Sequence, residues 1–109
     1  MTPPASMVIT ELWTSFASVL RSYFAAHGLN STHQAVLEVS ADAITVRVAS
    51  RWLRIEHVEG KGTILGSDGS VTHFELQHDG TLLFPDGEVA DMDHAAERIA
   101  RELMTKAAA

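Results

Sequence analysis

Residues 10–27, TELWTSFASVLRSYFAAH, decide how this chain folds. Together with Ile9, the apolar residues Leu12, Trp13, Phe16, Val19, Leu20, Tyr23 and Phe24 recur at steps of three and four. That spacing gathers side chains into one stripe along a helix. Ser6 or Thr10 supplies a cap for the first turn, and Gly28 ends the pattern, where its missing Cβ suits a left-handed closing residue with Leu29 folded back on Phe24. A stripe this long and aromatic cannot stay in water, so the rest of the chain must provide a surface to cover it.

That surface is read from the middle of the chain, where the period changes to two. Ala35, Leu37 and Val39 alternate with Val36, Glu38 and Ser40, and after Ala41-Asp42 the residues Ile44, Val46 and Val48 alternate with Thr45 and Arg47. The pattern predicts a hairpin. Further strands are predicted over 52–58, 63–65, 71–78 and 81–84, with Gly60 and Gly62, Ser67-Asp68-Gly69-Ser70, and Asp79-Gly80 at the turns. Asp79-Gly80 is expected to be a tight turn of the primed type. Pro85-Asp86-Gly87 stops the last strand. A second amphipathic helix over 93–106 is capped by Asp91 or Asp93, with Ala96, Ile99, Ala100, Leu103 and Met104 as its stripe and Glu97–Arg101 and Arg98–Glu102 as exposed pairs.

Two helices side by side are about 20 Å wide, and four or five strands at ~4.8 Å spacing span the same width. The expected architecture is therefore α+β: a two-layer sandwich in which an antiparallel β-meander of five or six strands carries the N-terminal and C-terminal helices on one face. Residues 1–109 form one domain, with residues 1–8 as a flexible arm stiffened at Pro3-Pro4. At 46 % apolar and 20 % charged residues the composition is that of a chain that folds.

The absence of cysteine removes disulfides, thiolate nucleophiles and sulfur-ligated zinc. A net charge of −6 opposes nucleic acid and anionic membranes. No apolar run is long enough to span a bilayer, and the first residues lack the pattern of a secretory signal, so a cytoplasmic location is expected.

Six histidines invite a metal reading, but no pair has the spacing of a helical zinc site. Asp91, Asp93, His94 and Glu97 are dense enough to hold an ion, yet capping and the helix dipole account for acids at a helix start without one. The glycines at 60, 62 and 80 lead into strands rather than into the helix a phosphate loop requires. No cofactor, metal or catalytic set is expected.

The informative surface is the outward parity of the strands. It carries Thr45, Arg47, Trp52, Arg54, Glu56, Val58, His73, Glu75 and Gln77. This face reads either as a solvated surface with charges paired across strands or as an interface, since Trp and Arg are enriched where proteins meet. Half of the basic residues, Arg47, Arg51, Arg54 and Lys61, lie within fifteen positions, whereas acids alone follow from Asp68 to Asp93. Such asymmetry favours self-association. The polar side of the first helix is weakly polar too, with Glu11 and Arg21 as its only charges.

The adopted expectation is a protein-binding or adaptor module. Its partner is another protein or a second copy in a homodimer, and the interface is Arg47, Trp52, Arg54, Glu56, His73, Glu75 and Gln77 or the weak side of the first helix. The alternative is a small-molecule or catalytic domain with a pocket between the first helix and the sheet, lined by Trp13, Phe16, Tyr23 and Phe74.

Overall fold

The computed structural model describes residues 5–28 and 34–108. Helix α1 (Ala5–Gly28) leads into strands β1 (Ala35–Val39), β2 (Ala43–Val48), β3 (Arg51–Val58), β4 (Lys61–Gly66), β5 (Val71–Leu76), β6 (Leu82–Leu83) and β7 (Val89–Ala90), and helix α2 (Met92–Ala108) follows them. The strands form one antiparallel sheet in sequence order. The fold is the expected α+β sandwich, with seven strands rather than five or six. Helix α1 starts five residues before Thr10. The expected packing of Leu29 on Phe24 and the first four residues of the arm lie outside the described residues.

The extra strand comes from a turn that does not end the sheet. At Pro85-Asp86-Gly87 the Phe84 amide donates to the Glu88 carbonyl at 2.9 Å, and Leu82 and Leu83 pair with Ala90 and Val89. Two residues carry no period, which is why the pattern of the sequence does not show this strand.

Three turns share one construction. Asp68, Asp79 and Asp86 each accept a backbone N–H from the residue two positions on, at 2.9, 3.0 and 2.9 Å. The glycine after each aspartate has φ near +90°, and its N–H bonds back three residues, to Gly66, Gln77 and Phe84. This is a type I turn closed by a left-handed glycine, the three-residue hairpin loop. Asp79-Gly80 is therefore not a primed turn, because a type I′ turn needs positive φ at both central residues and Asp79 does not have it. Positive φ at consecutive residues occurs at Glu59-Gly60 instead, at +52° and +88°.

Both helices lie on one face of the sheet and against each other. Trp13, Phe16, Leu20 and Phe24 of α1 are buried with Ile44, Val46, Val48, Ile55, Phe74, Leu76 and Leu82 of the sheet. The buried alanines Ala95, Ala96 and Ala100 mark the inward side of α2. No polar residue is buried among the described residues, so the interior is held by apolar packing.

Polar contacts fix the rim. Trp13 Nε1 donates to the Ser40 carbonyl at 2.9 Å, and the His57 ring packs on Trp13 at a tilt of 45° with centroids 4.3 Å apart. His57 Nε2 lies 3.0 Å from the Ala41 carbonyl, while Nδ1 accepts the Gly60 N–H at 3.3 Å. One imidazole thus ties the β1–β2 and β3–β4 turns together beneath the N-terminal half of α1.

Gly62 lies within β4 rather than in a turn, opposite Phe74 in the register. A Cβ there would land inside the Phe74 ring. The ring covers the bare backbone and has no room to retreat, being 5 % exposed in the core. Gly62→Ala should therefore cost about 1–3 kcal/mol, as overpacking does, read as a lower urea midpoint with an unchanged slope.

Candidate functional site

The register places the outward residues in rows across the sheet. Val36, Arg47 and Trp52 form one; Glu38, Thr45, Arg54, Leu65 and Val71 the next; Ala43, Glu56, Thr63 and His73 a third; Val58, Lys61, Glu75, Leu83 and Val89 a fourth. Among the described residues neither helix covers this face. Arg47, Trp52, Arg54, His73 and Glu75 are exposed and Glu56 is half-buried, all on the outward parity. Gln77 continues the same parity but falls beyond β5, where its Oε1 accepts the Thr81 hydroxyl at 2.9 Å within a turn.

Charges on this face are partly paired. Arg54 Nη1 donates to Thr45 Oγ1 at 3.2 Å, and Arg54 Nε lies 3.4 Å from Glu56. Thr63 Oγ1 and His73 Nδ1 stand 3.5 Å apart. Arg47 makes no ion pair among the described residues. It lines, with Thr45, Ala49, Ser50, Arg51, Trp52 and Arg54, a shallow depression at the β2–β3 turn. The Trp52 backbone is anchored there, exchanging bonds with Ser67.

Besides Trp52, the face carries apolar side chains that the expected interface does not include. Val36 is 59 % exposed, Trp52 42 %, Val58 77 %, Val71 56 % and Val89 56 %. Of the large hydrophobics exposed among the described residues, only Met7 and Val39 lie elsewhere. Val36 and Val71 are readable from parity alone, whereas Val89 needs the unforeseen seventh strand.

The residues expected to line a pocket between α1 and the sheet are packed or engaged elsewhere. Trp13, Phe16 and Phe74 are buried in the core, and the Tyr23 hydroxyl donates to Asp93 at 3.2 Å on the surface. A cleft of about 330 Å³ lies instead beneath α2. Leu53, Ile64 and Thr72 form its floor, Ile99, Glu102, Leu103 and Lys106 its helical wall, and Phe84, Asp86 and Glu88 its third side. Arg98 turns toward Glu88 at 2.8 Å with its guanidinium over the Phe84 ring, and so does not pair with Glu102. The Glu97–Arg101 pair forms, at 3.6 Å.

Asp91 is the cap of α2, accepting the His94 N–H at 2.7 Å. Asp93 and Glu97 bond outward to Tyr23 and His27. The dense acid group is thus spent on helix capping and helix-to-helix contacts. No three His, Asp or Glu side chains converge on a common point among the described residues, and no described helix is long and apolar enough to cross a membrane. No family model, curated protein or solved structure matches this chain.

At the open end of the cleft, Lys106 reaches Asp68 at 3.1 Å. The Ser70 hydroxyl and backbone N–H, together with Lys106, hold the Asp68 carboxyl well below the ordinary carboxylate range. A depressed folded-state value contributes stability above the unfolded-state value and loses it as pH falls toward the folded one. Asp68→Asn should therefore flatten the loss of stability of the parent protein below about pH 4, checked by thermal melts from pH 7 to pH 2.

Proposed function

We propose that this chain is a protein-binding module that pairs with a second copy of itself through the outer face of its sheet, with Trp52 as the anchor. The observation that carries this reading is the concentration of exposed large hydrophobics on one uncovered face, interleaved with charges of both signs. Scattered apolar side chains are ordinary on a surface, but five of the seven large hydrophobics exposed among the described residues share this one face, which favours a contact region.

The charges suit a two-fold arrangement. Arg47 and Arg54 sit toward one end of the face and Glu75 lies two strands from Arg54 and three from Arg47, so an antiparallel copy would set unlike charges opposite each other. Two such faces would pack about 10 Å apart as a sandwich of sheets. The outer side of α1 is the weaker candidate. Its exposed residues include Thr14, Ser15, Ser18 and Ser22, and Thr14 and Ser22 turn their hydroxyls back to the helix at 3.0 and 3.1 Å. It offers little apolar area and few free donors.

The expected result of light scattering after size exclusion is a dimer that becomes monomeric in Trp52→Glu, with an unchanged far-ultraviolet circular dichroism spectrum. An aromatic anchor replaced by a desolvated charge should weaken association by at least tenfold. A monomer at all concentrations up to ~1 mM, the limit of a weak contact, or a dimer indifferent to Trp52→Glu, defeats the reading.

A further inference from the structure

We infer that the cleft beneath α2 binds a small amine with an aromatic or branched apolar body, on a surface separate from the outer sheet face. The cleft exists because the helices leave the inner face open at Leu53, Ile64 and Thr72, whereas Ile55, Phe74 and Leu76 of the neighbouring inner positions are buried. Leu53, Ile64 and Ile99 remain half-buried along it, and Thr72 is exposed although it points to the helical side. The volume of about 330 Å³ is near the lower end for small-molecule sites, enough for one fused ring system. Helix, sheet and the β6–β7 hairpin close it on three sides, which suits a small molecule better than a continuous chain.

Charge decides the class of ligand. The two cations of the lining are already neutralised, Arg98 by Glu88 and Lys106 by Asp68. Two carboxylates remain. Glu102 makes no ion pair among the described residues, and Asp86, exposed at the hairpin tip, bonds only the Glu88 N–H of its own turn. An apolar floor beneath uncompensated carboxylates favours an ammonium over a carboxylate on the same ring, because only the ammonium gains charge-assisted bonds on entry.

Tryptamine and indole-3-propionate present one ring with opposite charges, and titration of each into the ¹⁵N-labelled full chain separates the possibilities. Tryptamine should shift the amides of Leu53, Ile64, Thr72, Ile99 and Leu103 with a dissociation constant of about 1 mM, as expected for twelve heavy atoms at modest efficiency. Indole-3-propionate should shift them at least threefold less at equal concentration. Thr72→Phe, which fills the cleft from an exposed position, should abolish the shifts, and Glu102→Gln should weaken binding two- to fivefold, the range of one exposed charge. Trp52→Glu should bind tryptamine as the parent does, so failure of the dimer reading leaves this one standing. Equal binding of the two indoles, tryptamine binding unaffected by Thr72→Phe, or no shift at 10 mM overturns the inference. So do cleft resonances that move on dilution without ligand, which would place a second copy there.

Discussion

The burial of the aromatic stripe of α1 against one side of the sheet is the contact on which the rest of the molecule depends. Trp13, Phe16 and Phe24 are large, almost wholly buried, and belong to one core cluster with Ile44, Ile55, Phe74 and Leu82 of the sheet. Removing such side chains from water supplies about 1.5–3 kcal/mol apiece, the largest favourable contribution open to a domain this small. Because the stripe is on one helix, it fixes which parity of every strand turns inward. The opposite parity is then left to solvent or to a partner, and the placement of Arg47, Trp52, Arg54 and Glu75 follows from where α1 lies.

The division of labour within the fold is chemical. Among the described residues the interior between helices and sheet holds no buried polar side chain. Polar residues do their work at edges: His57 between two turns, Asp91 at a helix start, and the three turn aspartates that fold their carboxylates onto their own backbone. The two surfaces proposed for recognition differ in character, one a broad mixed face and the other a narrow acid-rimmed cleft.

What could be read from the sequence follows from what is local. The stripe of α1, the alternation of β2 and the cap of α2 depend on residues within one element, and each is visible as a period or a start signal. The inward placement of His57 and outward placement of His73 also follow from parity. Other features depend on distant partners. Val89-Ala90 becomes a strand only because Leu82-Leu83 lies beside it, and Gly62 is needed only because Phe74 crosses over it. The Asp-Gly pairs announce turns, but the backbone sign at the aspartate, which separates two turn types, is set by how the flanking strands meet. The cleft is less legible still, since it is the part of the sheet that two helices of given lengths fail to cover.

The order of the strands has a kinetic consequence. Every neighbour in the sheet is also a neighbour along the chain, and three connections carry the same self-capping turn. Such a layer can zip up hairpin by hairpin, at low loop-closure entropy for each step. Docking of the two helices on each other is different, because Tyr23 and Asp93 must meet from seventy residues apart. Synthesis delivers α2 only after every strand. Until it emerges, α1 has only part of its eventual cover, and the nascent chain is a nearly complete layer whose closing step awaits this seventeen-residue helix.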